Sequence, residues 1–157
     1  PPPPPCPPHC HFKHSPLLSQ EAIITKFMIS YVLTLFAFVG ISLVWLTWIA
    51  RSTYVAEMGS LLRKEPQLIA SLIFYLLYAA GLLFFAVVPG VKAGSIMQAM
   101  FLGAALGLVA YGTYDLTNLS VMNGFNLRIA LIDLAWGTVV SGISAALVAG
   151  VVTRFSP

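Results

Sequence analysis

The chain has 157 residues, of which 59% are hydrophobic and 8% charged, and its formal net charge is +3. An average soluble domain carries roughly 25% charged residues, so no water-soluble fold of this length could hide so much apolar surface. The few positive charges are scattered, with no basic stripe interleaved with aromatics; this excludes a nucleic-acid partner and leaves the lipid bilayer as the solvent.

Residues 1–25 differ in kind from the rest. Pro1 to Pro5, Cys6, Pro7, Pro8, His9, Cys10, His11 and His14 form a proline-rich tract, expected to be an extended, solvated and disordered tail. The sequence begins without Met, which suggests a processed precursor that has lost an organellar targeting segment, or an incomplete sequence. Cys and His are ligand types for zinc, and Cys6, Cys10 and His11 stretch the haem-attachment spacing by one residue. Low-complexity tracts produce such clusters readily and prolines resist wrapping around an ion, so no metal site is assigned.

Residues 26–157 read as one domain of four transmembrane helices, since crossing about 30 Å of hydrocarbon takes roughly 20 apolar residues. The first span, about 27–50, lies between Lys26 and Arg51 and carries Trp45 and Trp48 at an interfacial level. A charged segment from Arg51 to Glu65 follows and is expected to be a solvated connector. The second span, about 67–88, starts after Pro66 and is expected to stop at Pro89-Gly90. The third, about 95–116, and the fourth, about 127–152, are separated by Asn123-Gly124, a tight-turn signal. The fold class expected is therefore all-α, an integral membrane four-helix bundle of two helical hairpins behind the tail. Lys13, Lys26, Lys92 and Arg154 fall on one side of the membrane and Arg51, Arg63, Lys64 and Arg128 on the other, so the basic residues give no orientation.

The second hairpin carries the chemistry. Asp115 and Asp133 lie within or near apolar spans, where a carboxylate is costly enough to be a functional hypothesis by default. Each is nine residues from Gly124, so helices running close to that turn put both at similar depth. Tyr111, Tyr114, Asp115 and Asn118 share one face of the third helix; Asp133, Gly137, Ser141 and Ser144 share one face of the fourth, with Trp136 beside them. Ala99, Gly103 and Gly107, and likewise Gly142, Ala146 and Gly150, are small-residue ladders that permit close helix contact, with Gly137 and Ser141 on the facing helix. Two readings of the aspartates stand side by side. In one they are structural, with Asp115 paired to Arg128 across the turn and Asp133 reached by water or tyrosine hydroxyls. In the other they form a site for a proton, cation or small ligand.

The stretches Tyr111–Leu119, Leu131–Thr138, Phe74–Gly81 and Val44–Leu46 resemble the family of small predicted membrane proteins known as domain of unknown function 2177. The resemblance runs from about residue 26 to the C-terminus. It implies a four-helix architecture, bacterial ancestry, and a characteristic polar set of Tyr111, Tyr114, Asp115, Thr117, Asn118, Asp133 and Trp136. It also implies an acidic residue three positions before Trp45, where this chain has Ser42. A bacterial-type inner membrane, or an organellar membrane of that ancestry, is the expected location.

No phosphate loop, G-x-S-x-G or H-E-x-x-H motif is present, and all three histidines lie in the tail, so no catalytic residue and no enzymatic activity is assigned. No lysine lies inside a span to anchor a retinal-type cofactor, and none is expected. Phe84, Phe85, Tyr75 and Tyr78 are at helical spacing, which favours ordinary packing over pigment or lipid binding. The role expected first is an accessory or structural subunit docked on other membrane proteins in a larger assembly, photosynthetic or respiratory for example. The alternative is a small transporter or proton- or cation-handling protein using the aspartate pair. Processing of a lipid is weakest, because four spans leave little room for a pocket.

Overall fold

In hydrocarbon, backbone N–H and C=O groups must pair within their own segment, so long apolar runs have to be helical. The computed structural model describes residues 16–59, 61–63 and 65–155, and every regular element among them is a helix. The first is α1 (Pro16–Val44), continued by a π-helical turn (Trp45–Ile49), and the short α2 (Arg51–Met58) follows. Then come α3 (Leu68–Leu82) with a second π turn (Leu83–Val87), α4 (Val88–Lys92), α5 (Ile96–Val121) and α6 (Leu127–Phe155). Four stretches are long and apolar enough to cross a membrane, namely Ile23–Ile49, Leu68–Lys92, Ile96–Val121 and Leu127–Phe155. Their mean hydropathies are 2.3, 2.3, 1.5 and 1.8, the lower pair belonging to the spans that carry Asp115 and Asp133. Large apolar side chains turn outward, Phe36 at 72% exposure and Leu77 at 73%, as suits a lipid surround.

The α5–α6 hairpin is the tightest pair; α6 also packs on α1, and α1 on α3. The π turn after α3 returns to α5, together with α4. The described chain is therefore two hairpins folded into an integral membrane four-helix bundle. Helix α3 itself, however, makes no comparable contact with α5. The ring of spans is closed near α4 and parted between α3 and α5 at the opposite end. The core at the closed end and mid-bundle is Phe38, Leu82, Leu83, Val87 and Val140 with small partners such as Ala86 and Ala145. Phe38 stacks on Tyr78 with ring centroids 4.6 Å apart.

Several boundaries differ from the sequence reading, among them the end of α5, which runs on to Val121 past the expected end near residue 116. Helix α1 begins at Pro16, so residues 16–25, grouped with the tail on composition, are helical. Proline fits a first helical turn, and no breaker separates it from the apolar run. The tail's Cys6, Cys10, His9, His11 and His14 lie outside the described residues. Pro89 does not end the second span, which continues to Lys92. A proline ring collides with the carbonyl four residues earlier, and the π turn at Leu83–Val87 widens the helix there, so the chain passes through without breaking. Finally, the connector contains α2, whose Tyr54 and Met58 pack with Leu61 and Leu119 against the buried Phe125, Ile129 and Ala130.

The turn between α5 and α6 rests on Gly124, whose φ of +92° is a conformation that side chains resist. Asn126 starts α6: its Oδ1 accepts from the Ile129 N–H at 3.0 Å, capping one of the free donors of the first turn.

Candidate functional site

The α5–α6 contact is built from missing side chains. A methyl placed on Gly103 would meet the Ser141 carbonyl oxygen at 2.6 Å, and one on Gly107 would meet Ser141 Cβ at 2.8 Å and the Gly137 carbonyl. On the other helix, a methyl on Gly137 would enter the ring of Tyr111. Gly103, Gly107, Gly137 and Ser141 thus lie at one internal contact, the close backbone approach that membrane helices use in place of a hydrophobic drive. Its consequence is that Tyr111 lies flat against bare backbone, held there by α6.

Toward the end where α3 and α5 part, the spans enclose a cavity of ≈ 460 Å³. Tyr75 and Tyr78 of α3, Tyr111 and Tyr114 of α5, and Trp136 of α6 supply aromatic walls. Tyr54 of α2, with Ser42 and Leu46 of the first span, closes one side, and Asp133 is the carboxylate in the lining. The described lining contains no Lys or Arg. Trp136 is fixed by Trp45, the two rings stacked at 4.3 Å and 5°. Trp45 opens the π turn, closed by the Ala50 N–H donating to its carbonyl at 2.8 Å, and such turns recur at functional sites. Tyr78 is fixed by a 2.7 Å hydrogen bond with Ser141 Oγ.

Asp133 is held by a residue from outside the spans. Tyr54 donates its hydroxyl proton to Asp133 Oδ1, and no other side-chain hydrogen bond to Asp133 is found among the described residues. Burial pushes the Tyr54 hydroxyl above the ordinary phenol range and the neighbouring Asp133 pushes it further, so the phenol stays a donor. Helix α2 is anchored beside that contact by Glu57, which accepts from Asn126 Nδ2 at 2.6 Å and from Arg128 at 2.7 Å. Arg128 therefore pairs with Glu57 and not with Asp115, which removes the expected ion pair across the turn.

Asp115 does not line the cavity. It is 1% exposed, and among the described residues neither of its carboxylate oxygens has a hydrogen-bond partner. A charge there would be uncompensated. Ser42 Oγ is likewise buried without a partner among the described residues, at 3% exposure, and Ser42 does line the cavity. It stands where the family resemblance implies an acid, so that position and Asp133 face one space. Thr117 is exposed and Asn118 half-buried, and neither reaches the cavity.

The cavity is open on one flank. On its rim, Phe74 is 42% and Tyr114 57% exposed, and a shallow apolar groove shares Phe74, Tyr78 and Ala110 with it and runs past Leu106 to Phe84 and Phe85. This is the cleft left where α3 stands off from α5, and it faces lipid. No group of three or more His, Cys, Asp or Glu able to hold a metal ion occurs among the described residues.

Sequence reasoning singled out Tyr111, Tyr114, Asp133 and Trp136, which the structure brings together. It missed Tyr54 and Glu57 because the connector reads as solvated; their i, i+3 spacing on a short helix was the available signal. Helical spacing assigns Tyr75 and Tyr78 to packing, and they line the cavity as well. A family model described as "Predicted membrane protein (DUF2177)" matches residues 27–150. No curated protein and no solved structure matches the chain.

Proposed function

Since this chain belongs to the DUF2177 family of predicted membrane proteins, whose description stops at the membrane, we propose its role from the site itself: it binds a small amphipathic molecule in the cavity and moves it as a small transporter. The observation that carries this reading is the ≈ 460 Å³ aromatic-walled space with one tyrosine-held carboxylate and one unpartnered hydroxyl in its lining. Ligand sites are commonly about 300–1,000 Å³, mostly apolar, with a few placed polar groups. The flank toward lipid supplies access without a water-filled route.

The reading is non-enzymatic. The cavity holds a carboxylate and phenols but no nucleophile paired with a base and a group to orient it. The accessory-subunit reading rested on small-residue ladders as docking faces, and Gly103 and Gly107 are spent on the internal α5–α6 contact. That favours the transport reading over the accessory one. An aspartate pair acting as one site is also less favoured, because Asp133 faces the cavity and Asp115 does not.

The test is to titrate a 4-bromophenyl amphipath into the full chain in lipid nanodiscs and follow tryptophan fluorescence, Trp136 being in the cavity wall. Saturable quenching that disappears in Ala110→Phe, which fills the cavity, is the expected result. Linear quenching of equal slope in both proteins would reject the site. Co-migration of the chain at fixed stoichiometry with a large complex in mild detergent, together with linear quenching, would restore the accessory role.

A further inference from the structure

We propose that the ligand of this cavity is a hydrophobic organic cation, an amine or quaternary ammonium with an apolar body, taken up from the bilayer through the cleft between α3 and α5. The inference rests on the reading of the cavity as a ligand site and names the chemical class it accepts.

Charge comes first. Asp133 is the one carboxylate in the lining, the described lining offers no Lys or Arg, and the nearest ion pair, Glu57 with Arg128, is complete in itself. A carboxylate withdrawn from water is stable as an anion only beside a positive charge or several donors, and here the donor is a single phenol from Tyr54. An anionic ligand would meet no positive group. A cationic one supplies the counter-charge that the protein omits.

The walls argue in the same direction. Tyr75, Tyr78, Tyr111, Tyr114 and Trp136 line the same space as the carboxylate, and aromatic rings attract cations through their quadrupole, most strongly where water is absent. A neutral apolar ligand needs apolar walls but neither rings nor a carboxylate. The Tyr78 and Tyr111 rings stand edge to face at 6.0 Å and 89°, so different ring surfaces are offered from neighbouring helices.

Access follows from the packing. Helix α3 stands off from α5 until the π turn, and the groove continuing from the cavity is lined by Phe74 and Leu77 of α3 and by Phe84 and Phe85 of that turn. An apolar body can rest in that groove while its cationic head reaches Asp133. A small, strongly hydrated cation would gain nothing from this route.

The experiment compares two isosteres on the full chain in nanodiscs, 4-phenylbutyltrimethylammonium and its neutral carbon analogue with a tert-butyl end, by competition against the quenching probe. Preference for the ammonium by at least about tenfold is expected, and Asp133→Asn should abolish it while leaving the neutral isostere's affinity unchanged. Tyr75→Leu, which leaves every hydrogen bond of the site in place, should weaken the ammonium several-fold and the isostere little. It reads the same question should Asp133→Asn fold poorly. Equal affinities for the isosteres, insensitive to both substitutions, would overturn the cation assignment and keep the cavity. Failure of both compounds to compete, with saturable probe binding retained, would equally overturn it; loss of saturable probe binding would overturn the cavity reading beneath it.

Discussion

Tyr54, in the short helix between the first two spans, donates a hydrogen bond to Asp133 of the fourth span, 79 residues further along the chain. One phenol thereby ties the connector to the only carboxylate in the described cavity lining. Glu57 ties the same helix to the first turn of α6 through Asn126 and Arg128. The site is thus held by a clasp lying outside the spans that enclose it.

The two arms of the Glu57 contact should differ in strength. Arg128 has a 72% exposed side chain, so its ion pair is screened, and Arg128→Ala should cost no more than about 0.5 kcal/mol. Asn126 both binds Glu57 and caps α6, and Asn126→Ala should cost about 1–2 kcal/mol. Reversible unfolding in mixed micelles followed by circular dichroism ranks the two, and the reverse order would mean that the cap is unimportant.

Glycines along the chain should fall into two classes. Gly137→Ala drives a methyl into the Tyr111 ring, and Gly107→Ala drives one into the backbone of α6, so each should destabilise by roughly 2 kcal/mol or more. At Gly40 and Gly81 a methyl meets nothing within 4 Å, and alanine there should be neutral or stabilise by about 0.5–1 kcal/mol through helix propensity. The same unfolding assay would show it, and equal effects at Gly40 and Gly137 would contradict the tight α5–α6 contact.

Asp115 offers a sharp contrast with Asp133. Among the described residues it makes no side-chain hydrogen bond and no ion pair, so Asp115→Asn removes no such interaction and should leave stability within about 1 kcal/mol of the parent. Ligand affinity should also be nearly unchanged, because the side chain does not line the cavity. A large loss of either property on this one substitution would assign Asp115 a partner or a place in the site.

Binding of the quaternary ammonium probe should weaken on acidification. The ligand is attracted by the anionic form of Asp133, so a proton and the cation compete for one carboxylate and affinity falls as pH falls. The other titratable groups around the cavity are phenols, Tyr54 from α2, Tyr75 and Tyr78 from α3, and Tyr111 and Tyr114 from α5, with Asp115 set behind. Of these, Tyr54 has its hydroxyl raised by burial and then by Asp133, and it keeps its proton throughout the neutral range. The neutral isostere should show no pH dependence. Isothermal titration of both compounds across pH checks the sign, and parallel curves would remove Asp133 from the recognition.

Much of the fold was legible because its causes are local. Apolar runs long enough to cross a bilayer must be helical, and glycine at position 124 permits the left-handed turn that reverses the chain. Those facts depend on neighbours in the sequence, and they define an integral membrane four-helix bundle. Pro89 reads as a stop in the sequence alone, because the π turn that accommodates it leaves no mark in the order of residue types.

The site was legible only in part, for a different reason. Helical periodicity groups Tyr111 with Tyr114 and Asp115, yet the packing rotation of α5 against α6 turns Tyr111 and Tyr114 into the cavity and Asp115 into the closed interior. A face is a property of one helix; which neighbour covers it is a property of the bundle. Nothing near Tyr54 in the chain signals Asp133, since their contact follows from α2 folding back over the start of α6. Composition and spacing therefore determined that this chain spans the membrane and which helices carry its polar residues. Tertiary packing alone decided which carboxylate meets an aromatic space, which is sealed away, and where that space opens to lipid, because each depends on contacts between segments far apart in sequence.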